Sequence, residues 1–96
     1  MNRLWVRIIK GHRIVRHDTV ECAWGGQREA LISMCKKFDI PAPMWLTKHE
    51  REFEDFRRTA FLRADFVEEV PFDRLEVEFL EDGVKRRSSD PRNDFG

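Results

Sequence analysis

Residues 3–9, RLWVRII, alternate, with Leu4, Val6 and Ile8 on one side. That period of two is the mark of a strand. Residues 13–22, RIVRHDTVEC, have the same β-branched character, and Gly11-His12 lies between them. A two-residue loop beginning with Gly predicts a hairpin with a type II′ turn, because Gly adopts positive φ at little cost. In that register Lys10 faces Arg13, Ile8 faces Val15 and Val6 faces His17. One face then carries Leu4, Val6, Ile8, Val15, His17 and Thr19. The other carries Arg3, Trp5, Arg7, Ile9, Ile14, Arg16, Asp18 and Val20.

After Gly25-Gly26 the period changes. Leu31, Met34, Cys35 and Phe38 recur at i, i+3, i+4 and i+7, the pattern of an amphipathic helix. Lys36 and Lys37 suit its last turn, and Pro41 ends it by excluding helical geometry at Ile40. A second helix is expected from Thr47, with Thr47-x-x-Glu50 as a capping box and Phe53, Phe56 and Ala60 as its buried stripe. In IPAPMWL, residues 40–46, a stiff connector is expected to tuck Met44 and Trp45 against the core. That helix should fade between Arg58 and Leu62, and residues 63–73 read as irregular. LEVEFLE, from Leu75, is the clearest strand, with Leu75, Val77 and Phe79 inward. Asp82-Gly83 then suggests a hairpin returning residues 84–88 as an edge strand, with Glu78 opposite Arg87.

The order β-β-α-α-β-(β) predicts an α+β two-layer sandwich. An antiparallel sheet of three to five strands carries two helices on one face. Residues 1–88 should form a single domain, with 89–96 a frayed tail.

Composition agrees with a folded chain. Eight Phe and three Trp in 96 residues exclude a solvated coil, and 41% apolar residues suffice for one core. No apolar run approaches a membrane span and no signal-peptide core is visible, so a cytoplasmic protein is expected. Two cysteines, Cys22 and Cys35, are too few for a disulfide framework and should be free thiols.

Formal charge is zero overall but unevenly placed. Residues 1–17 hold five bases and no acid, whereas 47–82 hold twelve acids against six bases. The two ends should therefore meet, within one chain or between chains.

Candidate chemistry is sparse. His49-Glu50 resembles the start of a zinc-protease helix, but the position four residues on is Phe53, which cannot ligate a metal. His12, His17 and His49 match no metal framework, and His17 reads as a buried strand histidine. Cys22 and His17 fall on opposite faces of a strand, and Cys35 lies on the apolar stripe. No catalytic residue, metal or cofactor is expected. Gly25, Gly26 and Arg28 at a helix start form a candidate anion site.

The second hairpin face gives the main functional expectation. Trp5, Arg7, Ile9, Ile14, Arg16 and Val20 make a candidate interface, since large apolar patches rarely stay wet. A second copy of the chain is the simplest cover, with another protein or the chain's own C-terminal segment as alternatives. Basic and aromatic residues interleave on the same hairpin, so nucleic acid is a less favoured partner. The runs PMWLTKHEREFEDFRRTAF and FDRLEVEF resemble stretches of small bacterial proteins of about this length with no assigned activity. That resemblance implies no site residue.

Overall fold

The computed structural model describes residues 2–81. Strands β1 (Arg3–Lys10) and β2 (Arg13–Glu21) are followed by helices α1 (Gln27–Phe38) and α2 (Thr47–Phe56), strand β3 (Arg58–Leu62), a 3-10 turn at Arg63–Asp65, and strand β4 (Arg74–Leu80). The four strands form one sheet in the order β2-β1-β4-β3, every neighbouring pair antiparallel. The fold is α+β, with the helices on one side. Leu4, Val6 and Ile8 of β1, Phe61 of β3 and Leu75, Val77 and Phe79 of β4 share a core with Leu31, Met34, Cys35 and Phe38 of α1 and Phe53 of α2. No helix among the described residues is long and apolar enough to cross a membrane.

The first hairpin departs from its expected geometry in two ways. Gly11 and His12 both have positive φ, 58° and 67°, so the turn is type I′ rather than II′. Lys10 pairs with Arg13 and Ile9 with Ile14, but Ile8 then pairs with Arg16. Val15 is the extra residue of a β-bulge. Beyond a one-residue insertion every side chain changes face. Arg16, Asp18 and Val20 therefore turn to the helix side, and His17 and Thr19 turn to the open side. There Arg16 donates to the Phe38 carbonyl at the end of α1 (3.3 Å) and Asp18 pairs with Lys37. Val20 packs against the core. The bulge thus supplies polar partners for the C-terminal end of α1.

No heavy atom lies within 4 Å of where a Cβ on Gly11 would stand. Gly11→Ala therefore probes backbone conformation alone. It should cost about 1 kcal/mol, since an L-residue is strained there. That corresponds to a melting-temperature drop of roughly 4–8 °C for a domain of this size, read by circular dichroism. An unchanged melt would contradict a left-handed Gly11.

The second half differs more. The N-cap of α2 is Leu46, and the reciprocal bond comes from His49, whose Nδ1 accepts from the Leu46 N–H at 3.0 Å. Glu50 instead reaches Arg28. The helix ends at Phe56 because Arg57 takes a left-handed conformation (φ 60°), its N–H closing on the Phe53 carbonyl. Phe56 is consequently exposed, Ala60 belongs to a strand, and the buried face of α2 is His49 and Phe53. In the connector Trp45 packs on the core as expected, whereas Met44 is exposed.

Where the helix was expected to fade, β3 pairs with β4, Thr59 and Phe61 inward. No glycine or proline separates α2 from β3, so nothing local announced the change. β4 thus has neighbours on both sides, and Glu78 lies between Trp5 and Arg58. The expected strand at 84–88, its Glu78–Arg87 pair and the tail at 89–96 fall outside the described residues.

Candidate functional site

Two surfaces combine defined geometry with chemically useful groups. The first is the sheet face opposite the helices. Across it, ladder neighbours run His17–Arg7–Glu76–Ala60, Thr19–Trp5–Glu78–Arg58 and Ile14–Ile9–Arg74–Leu62. At its centre Arg7 donates to Glu76 (3.1 Å) and Glu78 (3.2 Å), and its guanidinium lies 4.1 Å from the Trp5 ring centroid. Although on an open face, the Arg7 side chain is only 12% exposed. Trp5 also donates through Nε1 to His17 Nδ1 at 3.1 Å. Burial pushes the Glu76 carboxyl up, but hydrogen bonds and charge from Arg74 and Arg7 outweigh it and hold the carboxyl below its ordinary value.

Of the six residues expected on one interface, the structure therefore places Trp5, Arg7, Ile9 and Ile14 together. Arg16 and Val20 lie on the other face because of the bulge. The apolar part is also smaller than expected. Ile9 is 4% exposed, whereas Ile14 and Leu62 are each 50% exposed. Trp5 is half-buried, with Arg7 lying over its ring.

The second surface is a cleft of about 440 Å³ between the start of α1 and α2. Trp24 stacks parallel on Phe53 (5.7 Å between centroids, 5° between planes) and meets Phe79 edge-on. Trp45 stands nearly perpendicular to Phe53 at 5.8 Å. Phe53 is fully buried under Trp24 and beside Trp45, and the Arg57 guanidinium lies 4.4 Å from the Trp24 ring centroid. The rim carries Glu29, Glu50 and Glu54 against Arg28.

The expected anion site borders this cleft. Gly25 turns the chain into α1 at φ 102°, and its N–H donates to Gln27 Oε1 at 2.7 Å. The Gly26 N–H donates to the Ala23 carbonyl at 2.9 Å. Arg28 is paired with Glu50 at 3.4 Å. The Gly25 and Gly26 N–H groups and the Arg28 side chain are thus engaged within the chain.

The remaining chemical groups are enclosed. His49 is wholly buried. Its Nδ1 accepts from Leu46, which leaves the ring proton on Nε2, 3.3 Å from Asp65 Oδ2. Asp65 Oδ2 also accepts from the Leu62 N–H (2.9 Å), and Lys48 lies 3.5 Å from Oδ1. Burial raises the Asp65 carboxyl, but the Leu62 N–H, His49 and Lys48 more than offset it and leave it below its ordinary value. This arrangement pins the start of α2 to the turn after β3. Cys35 is buried and its thiol is pushed up to about 11. Burial, with Glu29 nearby, also raises Cys22. Both therefore stay protonated at neutral pH, unlike thiolate nucleophiles. His17 is exposed against Trp5 instead of buried as expected.

The sequence pointed to Glu50 as a cap and Trp45 as a core residue, and gave no cleft that joins them to Trp24, Glu29 and Glu54. One signal was present: Glu50, Phe53 and Glu54 lie at i, i+3 and i+4, so two carboxylates flank an aromatic on one helix face. Nothing local brings Trp24 and Trp45 to them.

No protein-family model, curated protein or solved structure matches this chain, so the two surfaces are interpreted from their own chemistry.

Proposed function

We propose that this protein is a small non-enzymatic interaction module that docks a second copy of itself through the open face of its sheet. The observation that carries the reading is Arg7, held by Glu76 and Glu78 over the Trp5 ring with little freedom left. Tryptophan and arginine dominate the energetics of protein interfaces. A side chain already fixed loses less entropy when it docks. The same face is nearly balanced in charge, with Arg3, Arg7, Arg58 and Arg74 against Glu21, Glu76 and Glu78. A two-fold pairing brings a surface onto itself, so a mixed face is compatible with its copy where a one-sign face would repel it. Half-exposed Ile14 and Leu62 supply apolar shoulders.

Static light scattering tests the reading. At tens of micromolar the mass should be about twice the 11.5 kDa of one chain, and Trp5→Ala should return it to one chain without loss of fold. A wild-type mass of one chain throughout a concentration series would overturn it.

Nucleic acid remains the second reading, because Lys10, His12 and Arg13 surround the exposed hairpin turn. It is less favoured because the basic residues are divided. Arg7 is neutralised by two glutamates, and Arg16 lies against Phe38 at 4.7 Å. Salt-sensitive retention on heparin would move the balance towards it.

A further inference from the structure

The cleft between α1 and α2 has a different chemistry from the sheet face and stands independently of it. Its volume, about 440 Å³, is that of a small-ligand pocket. Trp24, Trp45 and buried Phe53 line it, and three glutamates face Arg28, while Arg57 lies on the Trp24 ring. Aromatic faces attract cations through the negative potential of the ring, tryptophan most strongly. Carboxylates at the rim act in the same direction. An anion would meet a rim with more acids than bases, and the Gly25 and Gly26 N–H groups are already used by Gln27 and Ala23.

The chain itself supplies a second indication. The Arg28 guanidinium lies 5.9 Å from the Trp45 centroid and 3.4 Å from Glu50 Oε2, both near the outer limit for such contacts. The Arg28 and Glu50 side chains are 56% and 60% exposed. An exposed ion pair of this kind contributes little. The cleft therefore holds a cation of its own, loosely and at its edge, against Trp45. Trp24 is already engaged by Phe53 and by the Arg57 guanidinium, 4.4 Å from its centroid, so Trp45 is the ring that a ligand takes over.

We propose that this cleft binds an organic cation, a guanidinium or alkylated ammonium group, which displaces Arg28 from Trp45 and Glu50. The carrier is either a free small molecule or an arginine side chain of a peptide.

The test titrates the full-length protein with choline, the tripeptide Gly-Arg-Gly, the neutral choline isostere 3,3-dimethylbutan-1-ol and inorganic phosphate. The tryptophan indole N–H resonances are followed by ¹H–¹⁵N NMR. Saturable shifts with choline or the tripeptide, and none with the isostere, are expected. The tighter of the two cations identifies the carrier. Glu50→Gln/Glu54→Gln should weaken the cation about five- to tenfold, the loss of roughly one charge-assisted contact. Arg28→Ala should strengthen it, because the internal competitor is gone. These substitutions are at exposed positions, and circular dichroism confirms the fold of each variant. Equal shifts from choline and the isostere, phosphate binding that Arg28→Ala abolishes, or no saturable shift from any probe would each overturn the proposal.

Discussion

Phe61→Ala should destabilise the protein by about 3–5 kcal/mol, whereas Leu62→Ala, one position later, should cost under about 1 kcal/mol. Phe61 is completely buried in β3, and its ring lies 4.2 Å from that of His49 and 5.3 Å from that of Trp45. Truncation removes the transfer energy of the ring and leaves a cavity that a short strand between β4 and α2 cannot collapse. Leu62 points to the open face and is half exposed. Total stability of such a domain is about 5–15 kcal/mol, so the first substitution removes a large fraction of it. In urea denaturation its midpoint should fall steeply while that of Leu62→Ala barely moves. The reverse order would mean that β3 is out by one residue, since a one-residue slip exchanges the two faces.

Asp65→Ala should be nearly as damaging, at about 2–5 kcal/mol, because it leaves a buried and a part-buried donor without their acceptor. The Leu62 N–H and the His49 Nε2–H would both lose their acceptor. Asp65→Asn keeps an acceptor oxygen and should cost less, about 1–3 kcal/mol. The pair also carries a pH signature. The folded carboxyl is held below its ordinary value of 3.8, so its stabilisation is complete above that value. It is lost as pH falls through the lower folded value. Asp18, Asp73 and Glu76 are lowered too and contribute in the same direction. Unfolding measured from neutral pH downward should therefore show a steep acid limb for the native chain and a shallower one for Asp65→Asn. Equal limbs would show that Asp65 is not held in this way.

The two experiments fall in the region where the sequence was least readable. Residues 57–73 contain no turn signal that separates helix from strand, and β3 forms because β4 offers it a ladder. His49 illustrates the same difficulty. In the sequence it looked like half of a metal motif or a bystander beside a Glu cap. In the fold it caps α2 itself and joins Asp65, sixteen residues away. Periodicity reports which face a residue occupies within one element, but it holds no information about partners that arrive from another.

The amino-acid pattern by itself determined where the two helices begin, the inward set Leu75, Val77 and Phe79, the core stripe of α1 and the α+β class. Each depends on a repeat of two or 3.6 residues, which local backbone geometry enforces. Tertiary structure alone decided which side of β2 meets the helices, because one bulged residue at Val15 inverts all that follows. It also decided that β4 is central and that Trp24 and Trp45 flank Phe53. These are choices among pairings distant in the chain, made by the burial energy of the whole core.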